Sequence, residues 1–202
     1  MLQRLKTVLL RLLLAFCLLT VGSVLLLRWV PPPTTAFMLA DRVERLGGGA
    51  RVAAQRYRWV PLEEIAYSVP LAMVAAEDQK FPQHFGFDLA ALQAAAAHNQ
   101  KGRTIRGGST LTQQLAKNLF LWSGRSYLRK GLEAWFTLWL EVLLPKRRIL
   151  ELYVNVVEFG DGVYGVGAAA PAYFGKTPAR LGERESALLA AVLPNPRRYR
   201  IE

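Results

Sequence analysis

One cysteine, Cys17, is all the chain has, and it lies inside the most apolar stretch, so there can be no intrachain disulfide and no thiol cluster for a metal. This count does not decide the redox compartment. Acidic side chains are scarce as well. Against 26 Lys and Arg there are 15 Asp and Glu, a net charge of +11, which favours an anionic partner such as phospholipid, a diphosphate or nucleic acid without choosing among them. The first 30 residues hold four of the bases, Arg4, Lys6, Arg11 and Arg28, and no acid; the remaining 22 bases still outnumber the 15 acids, so the excess extends past the N-terminal segment. Internal repeats are absent, and so is the alternating pattern of a β-sheet. With 202 residues, 52% of them hydrophobic, the chain has room for one anchored domain and not for a second of full size.

What is present begins with an apolar run. Leu12 to Leu27 carries no charge, and with its flanks the stretch from Thr7 to Val30 covers 24 residues. At about 1.5 Å per residue this is roughly 36 Å, enough to cross a hydrocarbon layer with some tilt, with Arg11 and Arg28 snorkelling to the two interfaces. A cleavable signal peptide is the rival reading, but the apolar run is long for one and no small-x-small site precedes Pro31-Pro32-Pro33. Basic residues flank both ends, so the short N-terminal tail with its free amine decides the expected orientation, tail inside.

The expected organisation is a tail and transmembrane helix over residues 1–30, a linker and approach segment over 31–60 marked by Gly47-Gly48-Gly49, and a helical domain over 61–202. Pro70 opens a helix through Ala76. Asp88 caps an Ala-rich helix through His98, and Ser109 caps one from Thr110 to Leu121, stopped by Gly124. Ser126 caps a long helix to Leu144, halted by Pro145; Lys146 begins another through about Val156, and Thr177-Pro178 and Glu183 to Leu193 supply the last. The segment from Gly160 to Gly167 reads as an irregular loop allowing close backbone approach. It lacks the Gly-Lys-Ser/Thr ending of an ATP-binding loop and the preceding strand of a dinucleotide loop. The fold class expected is all-α on one transmembrane helix.

Three groups of residues can carry chemistry. Glu77 and Asp78 end an apolar helix, followed closely by Phe81 and His84; a carboxylate there is either a partly desolvated base or a solvated helix-end acid. Arg129 and Glu133 share a helical face as an intrahelical ion pair; alternatively, if this helix packs on the one that Lys117 and Asn118 end, Lys117, Arg129 and Lys130 converge as a clamp for a diphosphate. Ser109, Thr110, Thr112, Gln113 and Gln114 concentrate polar groups at a helix start, where sugar or phosphate recognition uses them; capping explains Ser109 but not the Thr112-Gln113-Gln114 run. Trp135 and Trp139 share a face beside these cations, suited to an interfacial helix or to a core.

Five blocks, in order, resemble the peptidoglycan glycosyltransferases of glycosyltransferase family 51, in particular the monofunctional biosynthetic kind. They are Glu77-Asp-Gln-Lys-Phe81-Pro-Gln-His84-Phe-Gly86-Phe-Asp88, Gly107-Gly-Ser-Thr-Leu-Thr-Gln-Gln-Leu-Ala-Lys-Asn118, Arg129-Lys-Gly-Leu-Glu133, Lys146-Arg-Arg-Ile-Leu-Glu151-Leu-Tyr-Val-Asn155 and Gly160 through Ala170. Gly108 stands where Ala is usual and Val154 where Leu is usual, and neither departure removes a polar group.

The resemblance implies a lysozyme-like helical domain with a membrane-contacting lobe, polymerising lipid II on the outer side of the bacterial cytoplasmic (inner) membrane. By position Glu77 would be the general base and Glu133 the second essential carboxylate. Asp78, Phe81, His84, Ser109, Thr110, Gln113, Gln114, Lys117, Asn118, Arg129 and Lys130 would bind substrate. The implied partners are lipid II, the growing glycan chain, membrane lipid and other cell-wall synthesis or division proteins, with no nucleic acid. No cofactor is required and no protein metal site is expected, although Mg or Mn can assist at the diphosphate in relatives. The Ser-x-x-Lys and Lys-Thr-Gly motifs of a transpeptidase are missing, Lys176-Thr177 being followed by Pro178, so no cross-linking is expected. A lysozyme-like lytic enzyme and a non-catalytic membrane scaffold are the alternatives.

Overall fold

The computed structural model describes residues 1–47, 54–100, 102, 108–124 and 126–201. Gly48 and Gly49 of the expected linker, Gly107 of the second block and Arg125 lie outside these residues. Among the described residues the chain is mostly helical, as expected from the missing sheet pattern.

Helix α1 (Leu2–Leu26) is a single element of 25 residues, long and apolar enough to cross a membrane, with most of its leucines exposed. Its C-terminal half is not free. Phe16 meets the ring of Trp135 at 5.8 Å between centroids, and Trp135 Nε1 donates to Thr20 Oγ1 at 3.1 Å. Further along, Arg28 Nη1 donates to the carbonyl of Leu143 at 2.6 Å, and Arg148 Nε to that of Leu27 at 2.8 Å. Helix α6 (Tyr127–Leu143) therefore runs beside α1 in the same direction, and the two end together.

Helix α2 (Ala36–Gly47) occupies part of what the sequence marks as linker. It is ordered by its inner face: Met38 is buried, and Asp41 accepts from Arg45, one helical turn on, at 2.7 Å and from Arg197 near the C-terminus at 2.8 Å. Those partners are 4 and 156 residues away, and the second is invisible to any local pattern.

Strand β1 (Arg56–Tyr57) leads to a short 3-10 turn at Leu62–Glu64 and to helix α3 (Ser68–Glu77). Pro70 sits in the first turn of α3, where its missing N–H costs nothing, rather than opening the helix. Helix α4 (Leu89–Gln100) starts with Asp88 Oδ1 accepting from the Ala91 amide at 2.9 Å. Helix α5 (Leu111–Phe120) is the centre of the molecule, with Leu111, Leu115 and Ala116 fully buried against α6 and helix α7 (Lys146–Val156).

The glycine-rich segment departs from the expected irregular loop. Strand β2 (Glu158–Gly160) turns through Gly162, at φ +73°, into β3 (Val163–Tyr164), and helix α8 (Val166–Phe174) begins at once. With β1 parallel on the other edge of β3, these form a three-stranded sheet. Pairs of two or three residues are too short for an alternating pattern to register. The close approach that the glycines allow is present: a side chain at Gly165 would collide with the Asn155 carbonyl, and one at Gly167 with that of Arg58. Asn155 fixes the same junction, accepting from the Val60 amide at 2.9 Å and donating to its carbonyl at 2.8 Å. A second 3-10 turn (Pro178–Arg180) and helix α9 (Glu183–Val192), packed on α3, complete the domain.

Candidate active site

The site forms where the end of α3, the start of α5 and the first half of α6 meet. Asp78 caps α3 with extended φ and turns the chain away. Its two oxygens join three segments: His84 Nε2 lies 2.8 Å from Oδ1, and the Leu111 amide at the head of α5 donates to Oδ2 at 3.0 Å. This clip sets the end of α3 against α5.

The head of α5 is built by Thr110, not by Ser109 as the sequence suggests. Thr110 Oγ1 accepts from the Gln113 amide at 3.3 Å and donates to the Gly86 carbonyl at 2.7 Å, while the Thr110 amide donates to Gln113 Oε1 at 3.0 Å. That reciprocal box accounts for Thr110 and Gln113, two of the polar residues that simple capping by Ser109 left over. Thr112 is buried too, donating at 2.6 Å to Glu141, which also accepts from Lys146 at 2.7 Å. Thus Asp78, Thr110 and Gln113, read in the sequence as substrate-binding, are buried, and both Asp78 oxygens, Thr110 Oγ1 and Gln113 Oε1 make internal bonds. Phe81 is buried with the Lys146 ammonium 4.4 Å above its ring and His84 against its edge.

Glu77 is half-buried, and its Oε2 accepts from Gln114 Nε2 at 2.7 Å. Gln114 in turn accepts at 3.0 Å from the hydroxyl of Tyr153 on α7, a residue to which the sequence reading gave no role. A lone tyrosine in the aliphatic run of α7 was the available signal, since a buried phenol needs a partner. On one side of Glu77 lies a groove of about 550 Å³ lined also by Asp78, Lys80, Asp88, Ser109 and Thr110. On the other side of Gln114 lies a second, of about 180 Å³, with Lys117, Asn118, Phe37 and Tyr153 in its wall.

Glu133 faces this region from α6. It is 3% exposed, accepts from Arg129 Nη1 at 2.8 Å, and is bonded to Lys130, whose ammonium also reaches Ser109 at 3.5 Å. The intrahelical ion pair is therefore present, and with Lys117 nearby the cations outnumber the carboxylate. Lys117 lies close enough to Glu77, Glu133, Arg129 and Lys130 to feel all four charges. Burial is the largest influence on it and pushes its ammonium below the ordinary lysine range, Glu133 opposes this, and Arg129 and Lys130 reinforce it. Arg129 Nε is buried with no partner among the described residues, a donor left over in a cluster already rich in positive charge. Such a cluster suits a polyanion.

A metal fits less well. Among the described residues, three carboxylates at metal-like spacing occur, Asp41, Glu158 and Asp161, a group the sequence gave no sign of because the fold assembles it. It is occupied by guanidinium groups: Arg45 bonds to Asp41 and Asp161, and Arg197 to Asp41 and Glu158. At the candidate site, Glu77 and Glu133 are both engaged, by Gln114 and by Arg129 with Lys130, and do not form a metal cage.

A family model described as Transglycosylase matches residues 44–202. Several relatives bear the name biosynthetic peptidoglycan transglycosylase. That of Pseudomonas fluorescens (strain Pf-5) is 57% identical over 180 residues, 88% of this chain and 75% of the relative. The Stutzerimonas stutzeri protein is 53% identical over 199 residues, 98% and 82% of the two chains, and the Aeromonas hydrophila protein 55% identical over 201 residues, 99% and 84%.

Proposed function

Since the chain belongs to the transglycosylase family, we propose that it polymerises lipid II into the glycan strands of peptidoglycan, with Glu77 as general base. The observation that carries this is a half-buried carboxylate in the wall of one groove, joined through Gln114 to the wall of a second, with Lys117 linking it electrostatically to the Glu133 cluster.

In the reaction, Glu77 takes the proton from the 4-hydroxyl of an acceptor lipid II. The alcohol oxygen forms a bond to the anomeric carbon of the growing chain from the face opposite the diphosphate, so the configuration inverts. The carbon–oxygen bond to the diphosphate breaks, and the electron pair leaves with undecaprenyl diphosphate. A diphosphate departs without a strong acid, needing cations to receive its charge; Lys117, Arg129 and Lys130 supply them. Glu133 holds Arg129 and Lys130 in place and keeps the cluster from repelling itself. Asp78, His84, Thr110 and Gln113 set the geometry of the site, while Ser109, Gln114 and Asn118 border the substrate. No metal is required by this scheme, and an assisting Mg or Mn would have to rely on the diphosphate oxygens.

The anchor reading rests on α1, with the N-terminus inside and the domain on the outer face of the bacterial cytoplasmic membrane. The exposed Tyr127, Leu128, Leu138 and Val142 of α6, beside the leucines of α1, support a lobe immersed in the outer leaflet. Partners of this lobe would be lipid and other wall-synthesis proteins. Without transpeptidase motifs the chain elongates strands and leaves them uncross-linked, and a β-lactam does not inhibit it.

The deciding experiment incubates the purified chain in detergent with lipid II and, separately, with finished peptidoglycan. Glycan polymer is expected from the first and no change in the second. Loss of the finished polymer would make the protein a lytic enzyme, and inertness towards both would make it a scaffold.

A further inference from the structure

Tyr153 lies in the middle of α7 between Leu152 and Val154, and all three are fully buried. A phenylalanine would fill the same space, so the hydroxyl is what asks for an explanation. Its bond is to Gln114 Oε1, at 3.0 Å, and the other end of that amide donates to Glu77 Oε2 at 2.7 Å.

The two ends of a primary amide are unlike: the oxygen only accepts and the nitrogen only donates. Turning Gln114 over would exchange them with little change in shape. In the turned state a carbonyl oxygen would face Glu77, which could meet it only by carrying a proton, and the phenol hydrogen would lose its acceptor. In the observed state both bonds are made while Glu77 is ionised. Burial pushes the Tyr153 phenol well above its ordinary range, and the neighbouring Glu77 and Asp78 charges push the same way, so it remains a donor.

We propose that Tyr153 is a positioning residue for glycan polymerisation: by donating to Gln114 it directs an amide N–H onto Glu77 Oε2 and leaves Oε1 for the incoming alcohol. This rests on the reading of Glu77 as the base. The other charges in the neighbourhood, Asp78 beside Glu77 and Lys117 on α5, are untouched by removing one phenol oxygen.

The test is a double-mutant cycle on the full chain in detergent, with lipid II as substrate: wild type, Tyr153→Phe, Gln114→Ala and the double variant, with Glu77→Gln as control and thermal melting on each. Tyr153→Phe is expected to lower kcat by about tenfold or more while KM stays within about twofold, because the base is misdirected and substrate binding is not. The acid limb of its kcat profile moves to higher pH, since the turned amide favours a protonated Glu77. In the Gln114→Ala background the same change has no further effect, because the link through which Tyr153 acts is already gone. A Tyr153→Phe enzyme with the wild-type rate and pH profile would overturn the inference, and so would a loss of the same factor with and without Gln114, which marks a purely structural role. Failure of the underlying reading looks different: the wild type makes no polymer, or Glu77→Gln still makes it.

Discussion

Lys117 carries a conflict that can be measured. Its ordinary value is 10.5, and burial holds it lower in the folded protein. Between the folded value and 10.5 the unfolded chain binds more protons than the native one, so this group makes stability rise with pH across that window. Below it, the native state bears the full penalty of a buried charge. Lys117→Met is therefore expected to melt at a higher temperature than wild type at neutral pH, with the gain shrinking as the pH approaches 10.5, while polymerisation of lipid II is lost. A variant that melts lower at neutral pH would mean that the attraction of Glu133 and Glu77 outweighs the desolvation. Glu133 shows the opposite case. Its carboxylate is buried and depends on Arg129 and Lys130, so Arg129→Ala is expected to lower both activity and the melting temperature, the latter because a buried charge loses a partner.

At the scale of elements, the head of α5 joins fold to function. Thr110 caps the helix and also ties it to the Gly86 carbonyl, so Thr110→Ala should cost about 1 kcal/mol or somewhat more in a denaturant melt, and Thr110→Ser should recover most of it. Equal losses from Ser109→Ala would return the cap to Ser109. Gly167→Ala is expected to be more severe, because its new methyl meets the Arg58 carbonyl. Much of this scale could be read in advance. Ser126, Asp88 and Pro145 mark helix ends by local chemistry, and Ser126 and Asp88 cap where expected. What could not be read was decided by distant partners: α2 is held by Arg197 across 156 residues, and the β2–β3 pair is too short to leave a pattern. The same division runs through the site. Glu77, Glu133 and Lys117 were legible as charged groups in apolar or clustered settings, whereas the bonds of Tyr153 to Gln114 and of Asp78 to the Leu111 amide join distant parts of the chain and leave no local pattern.

For the whole molecule, the packing of α1 along α6 makes the anchor part of the fold. Deleting residues 1–28 would remove the ring contact of Phe16, the acceptor at Thr20 and the cap that Arg28 gives Leu143. The truncated chain is expected to retain a folded domain of lower melting temperature and still to require detergent, because the exposed apolar side chains of α6 remain and Trp135 joins them. A fully soluble, monodisperse product of unchanged stability would show that α1 is only a tether. The scheme as a whole places a carboxylate base on one side of the reacting carbon and a cation cluster on the other, and it stands or falls on the first of these. Glu77→Gln keeps the size of the side chain and removes the base. In turnover of purified lipid II, the expected result is a fall of at least about a hundredfold with an unchanged melting temperature; glycan polymer appearing at close to the wild-type rate would contradict the account.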